Sequence, residues 1–321
     1  MRANVYPIKK RMNKLLFFIA AAIGFVSCKQ KPVEFSANNC KGEPLFVRRV
    51  AGFVTKQSYF STSEIRKMGL VLIENKGSAD KPLLEYYQHP SWKKGGWLSP
   101  IQLDEIGNIY TAPAPFVNLL NNPQQNQNTI YKVNTGSGEM DEFIKIPLPD
   151  SLNSNNPFGI LGLAYYCEGN ILYASTIAGS DRHVVRGGIY AIDVKGKKII
   201  DHLSQVDAIG IGISYVTGER RLYFGTGRTS EIYSVSINQA GKFTGKPEPA
   251  FTLEGLGPRG DDKVRRIRSD QNGNLLVYGI EFNYNLIAPR EKPEALYEFW
   301  YDNKEKKWWC KSINSKTTSA E

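Results

Sequence analysis

The chain has 321 residues and a formal charge of +10, with 12% aromatic residues, 29 Gly and 17 Pro. Arg2, Lys9, Lys10, Arg11 and Lys14 lie in the first 27 residues with no acid among them, so the remaining 294 residues carry +5. That balance, without a dense Lys/Arg block, excludes a dedicated nucleic-acid surface, and the Gly, Pro and aromatic content points to many short strands joined by turns.

The amino-terminal end reads as an export signal: a basic start, the apolar run Leu15 to Val26, then small residues. Twelve apolar residues are too few to span a bilayer, which takes roughly 20, and no later segment reaches that length. Met12 opens a second, more typical signal, and either start leaves the same mature chain. Phe25-Val26-Ser27-Cys28 resembles the lipobox of diderm bacterial lipoproteins, with Phe where Leu is usual. The resemblance implies that residues 1–27 are removed and that Cys28 is lipidated, several acyl chains giving stable attachment where one is marginal. Lys29, Gln30 and Lys31 follow with no acid, which by the sorting rules of such proteins favours the outer membrane; periplasmic and surface-facing orientations both stay open. The competing reading, a buried amino-terminal helix, lacks an amphipathic period. Residues 28–44 are expected to be a tether.

From there a repeated unit runs along the chain. A turn and a strand recur at Gly107 to Tyr110, Gly169 to Tyr173, Gly218 to Tyr223 and Gly273 to Tyr278. Each leads through a variable loop to a second strand, at Thr129 to Val133, Gly188 to Ile192, Glu231 to Val235 and Ala295 to Phe299, and then through a polar turn to a third. A further apolar strand precedes each Gly turn, as at Leu98 to Leu103 and Gly159 to Tyr166. Ser58 to Ser61, Gly69 to Ile73 and Leu83 to Tyr87 form a less regular first copy. Four strands per repeat is the count of a propeller blade. The expectation is an all-β fold, a β-propeller over residues 45–313 with five four-stranded blades and a polar tail at 314–321. Six or seven blades remain the alternatives if copies have been merged, and a β-sandwich pair or jelly roll is the competing architecture.

The motifs Asp104-Glu-Ile-Gly-Asn-Ile-Tyr110 and Asp270-Gln-Asn-Gly-Asn-Leu275 resemble those of the bacterial propellers that include NHL-type and gluconolactonase-like proteins. The likeness covers most of the mature chain and implies fold more than activity. A ring brings the chain ends together, so Cys40 and Cys310 are expected to form a disulfide in an oxidising compartment, leaving Cys167 as a buried thiol.

In such a ring the loops from second to third strand, and from each blade to the next, share one face, and here they are long. They include Trp92, Phe116, Asn118, Asp181, Arg182, His183, Asp207, Arg228, Arg259, Asp261, Glu281, Asn283, Tyr284 and Asn285. Three readings compete. In the first, the face binds a small ligand, a glycan or an envelope protein: Arg182, Arg228 and Arg259 offer forked donors, Trp92, Phe116 and Tyr284 offer flat surfaces, and Asn118 and Asn285 offer amides. In the second, the protein is a metal-dependent hydrolase or lactonase, as the gluconolactonase resemblance implies. Asp207, Asp261, Glu281 and Asn283 are then hard oxygen ligands for Ca²⁺ or Mg²⁺, although Glu281 and Asn283 share one loop, and Asp181 with His183 supplies a candidate general base. In the third, the residues are structural: Asp261 and Asp262 cap turns, Arg265 and Arg266 pair with them, and the Asn-rich loops satisfy backbone groups. Gly225-Thr-Gly227 has no helix after it and is not a phosphate loop.

Overall fold

The computed structural model of the protein describes residues 42–64, 66–115, 121–150, 152–285 and 294–315. All described residues belong to one compact unit. Cys28, Cys40, Phe116 and Asn118 lie outside the described residues.

Five antiparallel sheets make a five-bladed β-propeller. Among the described residues the first blade has three strands, β1 (Ser58–Ser61), β2 (Val71–Asn75) and β3 (Leu84–Tyr87). Each of the others has four. The second holds β4 (Leu98–Leu103), β5 (Ile109–Pro113), β6 (Thr129–Val133) and β7 (Met140–Lys145), and the third β8 (Ile160–Tyr166), β9 (Ile171–Thr176), β10 (Gly188–Asp193) and β11 (Lys198–Ser204). The fourth holds β12 (Ala208–Ser214), β13 (Arg221–Thr226), β14 (Glu231–Ile237) and β15 (Phe243–Thr252), and the fifth β16 (Lys263–Ser269), β17 (Leu275–Ile280), β18 (Ala295–Asp302) and β19 (Lys307–Ser315).

The turn motif has a chemical basis. The Asp104 carboxylate accepts the backbone N–H groups of Ile106 (3.1 Å) and Asn108 (2.8 Å) and the Asn108 amide (2.7 Å), and Asp270 repeats the pattern with Asn272 (2.8 Å) and Asn274 (2.9 Å). Gly107 and Gly273 take the positive φ that closes these turns, 86° and 82°. Tyr110 and Tyr173 of the repeat are fully buried: Tyr110 donates to Asp104 (3.1 Å), and Tyr173 donates to the Gly241 carbonyl of the next blade (2.6 Å).

Because side chains alternate along a strand, each blade presents one face to each neighbour. Apolar clusters fill four successive seams, represented by Phe46, Leu72 and Ile109; Tyr110, Leu163 and Leu172; Tyr173, Ile211 and Phe224; and Tyr223, Ile267 and Phe299. The innermost strands come very close. A Cβ on Gly210 or Gly212 of β12 would sit 2.5 Å from the Val264 carbonyl oxygen or 2.6 Å from that of Ile267 in β16, so only glycine fits. The alternating Gly of Ala208 to Ser214 is thus the sequence trace of a narrow ring.

The odd strand count of the first blade corrects one expectation. After three antiparallel strands the chain leaves on the short-turn face, so the segment from His89 to Lys94 is not on the long-loop face. Trp92 lies in a 3₁₀ turn (Pro90–Lys93), fully buried among Phe46, Phe60 and Tyr87, and donates its indole N–H to the Gly138 carbonyl at 2.7 Å, in the β6–β7 turn. It is a core residue, not a ligand platform.

The cysteine expectation is also corrected. Cys167, in the turn after β8, is disulfide-bonded, whereas Cys310 in β19 carries a thiol. Cys310 sits opposite Phe299 and packs toward the seam between the fourth and fifth blades.

Candidate ligand site on the long-loop face

Asp207, immediately before β12, is the central polar residue of this face, and its carboxylate is buried. Ser180 of the β9–β10 loop donates to one oxygen at 2.5 Å, and the Gly187 N–H reaches the same oxygen at 3.1 Å. The other oxygen accepts Arg228 from the β13–β14 loop (Nε, 3.0 Å; Nη2, 2.9 Å) and the Tyr284 hydroxyl from the β17–β18 loop (2.8 Å). One carboxylate therefore joins three blades. Arg228 spends its remaining donors on the carbonyls of Asp181, Arg182 (2.8 Å) and Val184 (2.8 Å), and its guanidinium lies over the Tyr284 ring at 5.3 Å. Burial, and then the neighbouring Asp207 charge, push the Tyr284 hydroxyl well above its ordinary pKa, so it serves as a donor.

A second such cluster stands one blade on. Asp262, immediately before β16, is fully buried and takes a forked contact from Arg259 (Nε, and Nη2 at 2.8 Å) together with the Tyr297 hydroxyl at 2.7 Å. The pairing holds the Arg259 guanidinium above its already high pKa. Arg228 and Arg259 are thus committed to internal carboxylates, contrary to the expectation that they point at a ligand. The pairing of Arg265 and Arg266 is corrected too: both meet Glu294, at 3.7 and 2.7 Å, rather than Asp261 or Asp262.

The metal reading does not assemble. Asp207 is enclosed by donors, Asp261 and Glu281 are exposed, and among the described residues no three His, Cys, Asp or Glu side chains gather as a metal would need. Asn283 instead accepts from Arg182 (3.1 Å) and from the Tyr284 N–H (3.0 Å). The Asp181–His183 pair is likewise a loop device. The Asp181 carboxylate accepts the backbone N–H groups of His183 (2.7 Å) and Val184 (2.8 Å), which hold its pKa below the usual range, and the Asn153 amide (2.9 Å). A carboxylate held in its charged form by three donors is a poor base. The Asn-rich loops do satisfy backbone groups: Asn156 donates to the carbonyls of Ile177 and Ser180 (both 2.8 Å), and Asn122 to that of Trp97 (2.9 Å).

What remains open to a ligand is the channel mouth. Phe158 and Phe282 are half-buried with ring centroids 5.6 Å apart, and with Leu161 they pack on buried Ile177, Ile209 and Tyr284. Exposed Arg182, bonded to half-buried Asn283, stands beside them, with exposed His183 and Glu281 and half-buried Asn285 on the same loops. Neither Phe158 nor Phe282 stands out in the sequence, since a single loop phenylalanine carries no periodic signal. Aligning the repeats on the residue before each first strand would have exposed the equivalence of Asp207 and Asp262.

No protein-family model matches the chain, and no curated protein matches it in sequence. Solved structures with similar folds include a Bacteroides fragilis protein provisionally assigned as a 6-phosphogluconolactonase (12% identity, 81% of this chain and 68% of that one, TM-score 0.48). A protein from Lactobacillus plantarum aligns at 14% identity over 82% and 69% of the two chains, TM-score 0.47. A gluconolactonase from Xanthomonas campestris aligns at 14% over 67% of each, TM-score 0.39.

Proposed function

We propose that this protein is a lipid-anchored propeller of the cell envelope, with the outer membrane as its favoured site, and that it binds a ligand at the mouth of its long-loop face. The observation that carries the binding reading is the half-exposed Phe158–Phe282 pair beside exposed Arg182 and half-buried Asn283. An apolar floor with a forked cation and an amide at its rim suits a ligand with a ring or chain face and a carboxylate or other anionic group, such as an acidic sugar or a peptide end. A metal-dependent hydrolase is less favoured because the acids expected to hold the ion are enclosed or apart.

Arrays of oligosaccharides and of peptides, probed with the purified full chain, are expected to give binding that falls tenfold or more in Phe282→Ala and Arg182→Ala, about 1.4 kcal/mol or more each. Retention of the fold is checked by thermal melting. Array binding that survives both changes would place the ligand elsewhere.

Anchoring rests on Phe25 to Cys28. Cells fed a radiolabelled fatty acid are expected to label the wild-type chain and to leave Cys28→Ser unlabelled. Label on the serine variant would remove Cys28 from the account.

A further inference from the structure

We propose that the short-turn face of the propeller lies against an anionic lipid surface, lysine-rich turns over the headgroups and Trp300 with Trp309 in the interfacial layer. The proposal rests on the anchoring of Cys28.

The chain enters the body on this face. The Gly42 N–H donates to the Asp104 carbonyl at the β4–β5 turn (2.9 Å), and that of Phe46 to the Thr135 carbonyl at the β6–β7 turn (2.8 Å). Thirteen residues lie between Cys28 and Gly42, a span that reaches at most about 50 Å. Such a tether brings this face near the membrane but does not by itself seat it.

The charge distribution does. The outer turns of the third, fourth and fifth blades carry exposed Lys195, Lys197 and Lys198, then Lys242, then Lys304, Lys306 and Lys307, and among the described residues none of these is in an ion pair. The half-buried aspartates of the same turns are bonded to their own backbone, Asp193 to the Lys195 N–H (3.1 Å) and Asp302 to those of Lys304 (2.8 Å) and Glu305 (3.2 Å), which leaves Glu305 as the exposed acid among seven lysines. Of the inner-turn acids, Glu168 pairs with Arg220 (2.6 Å) and Glu219 with Arg221 (3.4 Å), while Glu105 is exposed. A row of unpaired lysines over anionic lipid gains attraction from each charge within a Debye length.

Trp300 and Trp309 face each other across β18 and β19, two residues from the Asp302–Lys307 end of the hairpin, and each is 40% exposed. Their strand neighbours Phe299 and Trp308 turn into the seam with the fourth blade, so the exposed pair points away from that core. Lys307 stands over the Trp309 ring at 4.3 Å. Indole rings with one wet side and an adjacent lysine suit the headgroup layer of a bilayer, where an apolar body and a polar tip are both satisfied.

The test uses the full lipidated chain on vesicles of phosphatidylcholine with phosphatidylglycerol, a fraction of the phosphatidylcholine being brominated, and on vesicles lacking phosphatidylglycerol. Tryptophan quenching by the brominated lipid is expected to be about twofold or more greater on the anionic vesicles and to fall at high salt. It is expected to disappear in the Trp300→Phe, Trp309→Phe double variant. A Lys195→Glu, Lys197→Glu, Lys304→Glu, Lys306→Glu variant should still float with the vesicles while losing the anionic preference. A chain that floats but shows no quenching beyond that of the double variant would overturn the seating and leave anchoring intact. A wild-type chain that fails to float would overturn anchoring, and the seating with it.

Discussion

Replacing Arg228 by methionine is expected to lower the unfolding free energy by about 3–5 kcal/mol, the range for removing one partner of a buried ion pair. The loss is large because of what the arginine leaves behind. The Asp207 carboxylate is wholly buried, and without Arg228 its charge would be met only by neutral donors, Ser180 Oγ at 2.5 Å, the Gly187 N–H at 3.1 Å and the Tyr284 hydroxyl at 2.8 Å. The carbonyls of Arg182 and Val184, both bonded at 2.8 Å, would lose a donor as well. Arg228→Lys is expected to recover part of the loss, since a single ammonium replaces the charge but not the fork. Urea denaturation monitored by tryptophan emission measures all three chains. A change below about 1 kcal/mol in Arg228→Met, the range of surface pairs, would mean that the cluster does not hold the three blades together.

Trp92→Ala is expected to cost about 3–5 kcal/mol, as large-to-small changes in well-packed cores do. The indole is fully buried, its ring centroid lies 5.7 Å from that of Phe46 and 5.6 Å from that of Tyr87, and its N–H is the donor to the Gly138 carbonyl at 2.7 Å. Alanine leaves both a cavity and a carbonyl without its donor. Trp92→Phe keeps most of the apolar contact and should lose about 1–3 kcal/mol less of the stability than alanine does. The same measurement separates core from platform: a ligand-facing tryptophan would lose array binding on substitution with stability nearly unchanged.

Much of the fold was legible because the repeat carries its own chemistry. Asp104 and Asp270 build their turns with their own side chains, so the motif and the strand that follows it are fixed locally. Thr129–Val133 and Leu98–Leu103 fall where the pattern places them. The three strands of the first copy are legible too, but what their odd number does to the face on which Trp92 lies is not carried by any local motif. The site was less legible still. Arg228 and Arg259 have the composition of a binding rim, but whether an arginine meets a ligand or an internal carboxylate depends on Asp207 and Asp262, placed by strands elsewhere in the chain. The cysteine pairing failed for a related reason: proximity of the chain ends was inferred from ring closure, whereas the packing of Cys310 toward a blade seam is set by its register opposite Phe299.

The Asp207 node has a consequence for recognition. Since Ser180, Arg228 and Tyr284 come from three different blades and meet on one carboxylate, the floor beneath Phe158 and Phe282 is fixed before any ligand arrives. On the proposed binding reading, a ligand docking there would order little besides the exposed Arg182 side chain, so its affinity would track shape match more than induced rearrangement, with a correspondingly small entropic penalty.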